Sequence, residues 1–384
     1  MNKEIQLAIN IAGIGDLILA SKSLRALKRS HPEAELWLMT SSEAAVLADN
    51  YPYIDRVIPF PIREFGRNRR YLMKMWHTVN DLRHIRFRHC INLYLVGSWL
   101  GAAKMGLLFS LIHADGKVGQ GAYGFGRFLT AQAPADTFVR QHYVDAMCDI
   151  AALAGAVSDD GGMDVYWNDS CGKQWIPFFD EQKDALLIGI NPGGDRPNRR
   201  WNPDYFVTVT EELLRAYPLS RIVLFGGPGE EYLAKYIENN IQSPKVVSLA
   251  GKLNLNELCY IISRLNLFIT NDSGPMHIAA ATRTPVVAIF GPENPMHLRP
   301  YAQETLYRVV YKNVPCRPCS KSTCENTICL SSIAPNDVFN ACVELLDTTR
   351  RIKNEERKRS VTGSIISKGE NIDLVSVRNL QNHS

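Results

Sequence analysis

At 384 residues the chain is longer than one hydrophobic core ordinarily sustains, so two domains of about 150 to 190 residues are expected. With 46% apolar and 21% charged residues it is neither a disordered nor a fibrous chain. The net charge of +4 excludes a protein that is basic throughout, and Met1-Asn2-Lys3-Glu4 is no secretory leader, so a cytoplasmic location is expected.

A strand is expected over residues 5–11, then the turn Gly13-Ile14-Gly15-Asp16, then a helix over 17–30. Strands follow at 35–40 and 56–60. Residues 63–89 carry eight Lys or Arg against two acids, a local +6, interleaved with Phe65, Tyr71, Trp76 and Phe87. Another strand is expected at 90–96. The apolar run 99–112 is interrupted by Lys104 and falls short of the roughly 20 residues of a spanning helix. A turn-rich stretch between 159 and 183, with Gly161-Gly162, marks a join.

The second half repeats the scheme, with strands expected at 185–191, 221–225, 246–249, 267–270 and 286–290 and helices at 203–217, 256–265 and 275–281. Strands alternating with helices indicate parallel sheets, hence α/β units facing across a cleft. We divide the chain at 1–165, 166–347 and a polar tail, 348–384, whose first part is expected to extend a helix and the rest to be disordered.

Four strand exits carry chemistry. Asp16 caps a helix; alternatively, an ionised aspartate at a helix N-terminus accepts the proton of an attacking hydroxyl. The two glycines before it let a ligand approach the main chain, but Ile18 stands where a dinucleotide fingerprint needs a third glycine. Asn271-Asp272-Ser273-Gly274-Pro275-Met276-His277 reads as a helix N-terminus with free amides, fit for a diphosphate, although His277 alone is as readily a packed residue. Asn191-Pro192-Gly193-Gly194-Asp195 runs into Arg196, Arg199, Arg200 and Trp201, where arginines either clamp phosphate oxygens or ride a solvated loop. Phe225-Gly226-Gly227-Pro228-Gly229-Glu230-Glu231 offers an acid for ribose hydroxyls. All four are expected at carboxyl ends of parallel strands, where open α/β sheets bind ligands.

Taken in order, these motifs resemble glycosyltransferase family 9, the heptosyltransferases of lipopolysaccharide core assembly, over nearly all of residues 5–346. The resemblance implies the GT-B fold, two Rossmann-like domains with acceptor on the first and nucleotide sugar on the second. It implies Asp16 as catalytic base, and Gly15, Arg199, Arg200, Glu230, Asp272, Ser273, Gly274 and His277 around the donor, expected to be ADP-heptose. Arg199 stands where the family often has lysine. Transfer would invert the anomeric centre, and because no Asp-x-Asp pair occurs, activity is expected without added metal.

The basic segment, with Arg63, Arg67, Arg69 and Arg70, is then expected to bind a phosphorylated or acidic acceptor such as the lipopolysaccharide core, or to rest against anionic lipid at the inner membrane face; a solvated helix face is the plainer alternative. Cys316, Cys319, Cys324 and Cys329 start as C-x-x-C but lack a second such pair, so a structural zinc or iron, free thiols and a disulfide all remain open. Three other functions keep the same motifs: a nucleotide-sugar epimerase, a protein-modifying transferase and a non-catalytic nucleotide-sugar binder.

Overall fold

The computed structural model describes residues 3–61, 69–317, 319, 321 and 323–369. Among them lie two six-stranded sheets, every strand parallel to its neighbours. The first contains β1 (Ile5–Asn10), β2 (Glu35–Ser41), β3 (Arg56–Phe60), β4 (Arg86–Asn92), β5 (His113–Gln120) and β6 (Ala131–Ala133), in the order β3-β2-β1-β4-β5-β6. The second contains β7 (Leu186–Asn191), β8 (Ser220–Leu224), β9 (Val246–Ser248), β10 (Leu267–Asn271), β11 (Val286–Ile289) and β12 (Tyr307–Val310), in the order β12-β11-β10-β7-β8-β9. Numbered within its own half, the second sheet has the strand order of the first, so the molecule is two Rossmann-like domains.

Helices α1 (Ile14–Ser30), α2 (Ser42–Ala48), α3 (Arg69–Leu82), α4 (Trp99–Leu111), the one-turn α5 (Thr137–Arg140) and α6 (Tyr143–Ala152) belong to the first domain. The second half holds α7 (Ile176–Glu181), α8 (Pro203–Ala216), α9 (Glu231–Ile241), α10 (Leu255–Ser263), α11 (Gly274–Ala281), the one-turn α12 (Pro295–Leu298) and α13 (Ile328–Ser331), and α14 (Pro335–Gly369). α14 continues past residue 347 because its Glu, Lys and Arg are good helix formers. Val338, Cys342, Leu345 and Leu346 anchor it in the core.

Side chains alternate across each strand and so sort the core into layers. On β1, Leu7 and Ile9 face the outer helices α3 and α4, whereas Ala8 faces α1, α2 and α6. On β10, Leu267 and Ile269 face α8 and α14, whereas Phe268 joins the inner layer. That inner layer is continuous between domains, Ile18 and Leu24 belonging to the same cluster as Met276 and Ile278.

Four strands differ from the sequence expectation, the four-residue edge strand β12 having been missed as well. β4 starts at Arg86, inside the basic segment, because alternation buries Phe87 between exposed arginines. β5 was not expected: its sequence HADGKVGQ is polar, and only its last three residues are buried. β6 is three residues long and escapes any periodicity test.

Candidate active site

In both sheets the strand order reverses at one point, between β1 and β4 and between β7 and β10. Chains leaving neighbouring strands there diverge to opposite faces and open a crevice beyond the carboxyl ends. Three of the four motifs sit at these two points: Asp16 after β1, Pro192-Gly193-Gly194 after β7 and Asp272-Ser273-Gly274 after β10. Gly226-Gly227 follows β8 next door.

Asp16 occupies the first turn of α1, where Gly13 N–H donates to its Oδ2 at 3.2 Å and Asn10 Nδ2 donates to its carbonyl at 3.0 Å. Gly13 and not Asp16 is the N-cap of α1; Asp16 stands at the third helical position and its carboxylate caps by reaching back to the N-cap amide. The carboxylate is only half-buried, which leaves it within reach of the cleft.

The helix it begins runs up against the other domain. A Cβ added to Gly15 would lie 3.0 Å from His277 Cδ2 and 3.4 Å from the Gly274 Cα, so any larger residue would crowd this approach. α1 and α11 thus meet with their N-termini close together, and the partial positive charges of both helix ends converge on one space. Ser273, the N-cap of α11, makes no side-chain cap. Its hydroxyl instead lies 3.3 Å from Asn191 Nδ2 and 3.1 Å from Thr270 Oγ1. In the first turn of α11, Pro275 has no N–H and Met276 N–H donates to the Ser273 carbonyl at 3.1 Å, so the Gly274 amide is the one left for an anion.

Asp272 is 3% exposed. Burial pushes its carboxyl up to about 6, with Arg199 opposing the shift and Glu293 adding to it. Arg199 Nη1 lies 3.4 Å from Asp272 Oδ2, close enough for an ion pair but not aligned as a hydrogen bond. Arg199 also pairs closely with Glu293. His277 is buried, its Nδ1 lacks a partner among the described residues, and burial followed by the fields of His142 and Arg199 holds it down to about 3. It is neutral at physiological pH.

Arg200 and Glu230 come together, but as a clamp on the loops. Glu230 accepts from Gly194 N–H at 2.7 Å, from Gly227 N–H at 2.9 Å and from Arg200 Nη2 at 3.3 Å. Arg200 Nε donates to the Gly194 carbonyl at 2.8 Å. Any side chain at position 193 would collide with the Glu230 carboxylate. Trp201 is a core residue, 1% exposed, its indole N–H donating to the Ile333 carbonyl.

Several contributors were given no role of their own in the sequence analysis. Buried Asn271 accepts from Trp201 N–H at 3.1 Å and donates to the carbonyls of Pro192 and Gly193 at 2.9 and 3.0 Å, tying two of the loops together. Tyr143, first residue of α6, is raised to about 12 by burial, then by Glu293 of the second domain and Asp16 of the first. His142 beside it joins the domains by a 2.8 Å hydrogen bond to the Arg299 carbonyl. Glu293, in the loop after β11, stands outside the four strand exits singled out above; asparagines and tyrosines are too common to stand out.

Among the acceptor candidates, Arg63 and Arg67 lie outside the described residues. For Arg69 and Arg70 the backbone, opening α3, is described. α3 ends at Leu82, four residues before β4 begins, so its N-terminus lies about 20 Å away towards the cleft edge of the sheet. Farther down the segment, Arg86 pairs with Asp115 at 2.7 Å and Arg88 pairs with Glu4, at the edge away from the cleft.

Cys316, Cys319, Cys324 and Cys329 line one small pocket together with Arg317. All four are free thiols, and among the described residues no three His, Cys, Asp or Glu side chains are grouped to hold a metal ion. A guanidinium among the sulfurs does not favour a second cation. In this structure the four thiols share a pocket without being grouped as a metal ligand set.

Comparison with known proteins agrees with this architecture. A lipooligosaccharide heptosyltransferase 2 of Campylobacter jejuni is 33% identical over 166 residues, 42% of this chain, so the chain spans about half (51%) of that relative's length. A lipopolysaccharide heptosyltransferase 2 of Salmonella typhimurium is 26% identical over 308 residues, covering 75% of this chain and 83% of the relative. Among solved structures, a family 9 glycosyl transferase from Veillonella parvula superposes with a TM-score of 0.75 at 24% identity, covering 90% of this chain and 98% of that one. The E. coli ADP-heptose lipopolysaccharide heptosyltransferase II gives a TM-score of 0.68 at 21% identity, covering 90% and 99%. These likenesses establish the fold as GT-B. The sequence pattern described as glycosyltransferase family 9 (heptosyltransferase) matches residues 106–329, more than half of the chain, and the protein therefore belongs to that family.

Proposed function

We propose that this protein transfers a heptose from ADP-heptose to a lipopolysaccharide-core acceptor, with inversion at the anomeric carbon. One observation carries the reading: the contact of Gly15 with Gly274 and His277 sets a carboxylate of one domain against an uncapped helix N-terminus of the other. A general base and a diphosphate site then share one crevice.

In this reading Asp16 takes the proton of the acceptor hydroxyl as its oxygen bonds to the anomeric carbon and the bond to the diphosphate breaks. The N-terminus of α11, with its Gly274 amide, and the Arg199 guanidinium receive the charge growing on the departing diphosphate. Asp272 and Glu293 orient Arg199, while Glu230 and Arg200 hold the glycine loops against the nucleotide. The proposed acceptor lies on the first domain near Arg69 and Arg70, presented at the inner face of the bacterial inner membrane. No Asp-x-Asp pair exists to carry a divalent ion on the diphosphate, so turnover is expected to withstand a chelator.

The test is release of ADP from ADP-heptose by purified protein, with and without truncated lipopolysaccharide and in the presence of chelator. Acceptor-dependent release supports the reading. Turnover of donor alone would identify an epimerase or hydrolase, and turnover with a different nucleotide sugar would refute the donor assignment.

A further inference from the structure

A tyrosine hydroxyl withdrawn from water normally finds a hydrogen-bond partner. Tyr51 donates to the Asp164 carbonyl at 3.0 Å, Tyr53 to the Ser21 carbonyl at 3.2 Å and Tyr301 to Asp145 Oδ1 at 2.7 Å. Tyr143 departs from that pattern. Its side chain is half-buried, yet its hydroxyl has no partner among the described residues, and the transfer chemistry set out above gives it no task.

The ring is fixed from both domains. α6 follows β6 and so starts at the carboxyl-end edge of the first sheet, as α1 does after β1. The two helices pack together in the inner layer, Val144 and Met147 with Ile18 and Leu24, so Tyr143 and Asp16 lie at neighbouring helix starts on one mouth. Within the first domain the Tyr143 ring meets Phe138 edge-on at 5.0 Å; across the boundary it stacks on His297 at 6.1 Å with the planes 18° apart. His142, the N-cap of α6, donates to the Arg299 carbonyl at 2.8 Å and pins the same turn to the second domain. The charges that act on the hydroxyl are all groups of the crevice. Burial first, then Glu293 and Asp16, keep the phenol protonated; Arg199 opposes them and Asp272 adds to them.

A phenol that holds its proton and has no partner is a donor waiting for an acceptor atom. In this space the atoms that arrive are oxygens of the anion drawn by the Gly274 amide and Arg199. We propose that the Tyr143 hydroxyl donates a hydrogen bond to the diphosphate of the nucleotide sugar, a first-domain contact to a leaving group otherwise held by the second domain. The inference rests on the reading of the crevice as a nucleoside-diphosphate site. Charge growing on the departing diphosphate then meets donors from both domains, while the proton of the acceptor hydroxyl still goes to Asp16.

The experiment is calorimetric titration of the full chain with ADP and, separately, UDP, with chelator and without acceptor, followed by acceptor-dependent turnover. Tyr143→Phe keeps both ring contacts, so it should melt with wild type. It is expected to bind the preferred diphosphate about tenfold more weakly, the worth of one hydrogen bond to a charged group. At saturating donor its kcat should fall by about 10², with the acceptor KM unchanged. If wild type binds either diphosphate and Tyr143→Phe matches it in affinity and turnover, the inference is overturned while the crevice reading stands. A raised acceptor KM at unchanged diphosphate affinity also overturns it, by placing the hydroxyl on the acceptor. Wild type that binds neither diphosphate overturns both.

Discussion

Asp16→Asn separates the two tasks of one carboxylate. The amide oxygen of asparagine can still accept the Gly13 N–H that now reaches Asp16 Oδ2 at 3.2 Å, so the start of α1 keeps its cap. What is lost is the capacity to take up a proton. Transfer is therefore expected to fall by about 10² to 10⁴, the range supplied by general base catalysis, with little change in melting temperature. Asp16→Ala removes cap and base together. It should show the same fall in rate plus about 1 kcal/mol of destabilisation, near 2 to 4 °C for a domain of this size. The assay is acceptor-dependent ADP release at saturating donor, beside thermal melts of all three proteins. Asp16→Asn retaining more than about a tenth of wild-type turnover would refute the base assignment and leave Asp16 a cap alone.

Gly15→Ala places a methyl 3.0 Å from the buried His277 ring, which must give by a few tenths of an ångström; about 1 to 3 kcal/mol of overpacking and a loss in kcat of about 10² are expected, readable by denaturant melts and initial rates. Glu230→Ala strands the amides of Gly194 and Gly227, so the donor KM should rise by about tenfold with a smaller change in kcat, and an unchanged KM would count against the clamp. His142 is held down to about 4 by burial, and its neutral ring accepts the Val144 N–H on Nδ1 while Nε2–H donates to the Arg299 carbonyl. Its contribution to stability is complete above the unfolded pKa near 6.5 and is lost as pH falls towards 4, about 2 kcal/mol of it by pH 5. Urea melts at pH 7 and pH 5 should differ less for His142→Gln than for wild type.

Much of the fold was legible because central strands of parallel sheets are buried on both faces and appear as short apolar runs. β1, β7, β10 and β11 were found that way, and the motifs at the exits of three of them were expected at the cleft where they lie. β5, β6 and β12 were missed for the converse reason, being polar or very short. The basic segment was legible as charge, but the sheet pairs Arg86 and Arg88 with Asp115 and Glu4 far from the crevice, a division invisible in a charge count.

Sequence alone determined the two-domain α/β class, the family pattern and the turns that close each central strand, since these depend on local backbone preference and on the period of burial. Tertiary structure decided which side chains act on one another. That Glu230 grips the loop after β7, that Asn271 ties Trp201 to Pro192 and Gly193, and that any residue larger than Gly15 would crowd His277 are all consequences of distant segments brought within hydrogen-bond or van der Waals range. Those interactions decay over a few ångströms, so they exist only once the two sheets have packed and set α1 against α11.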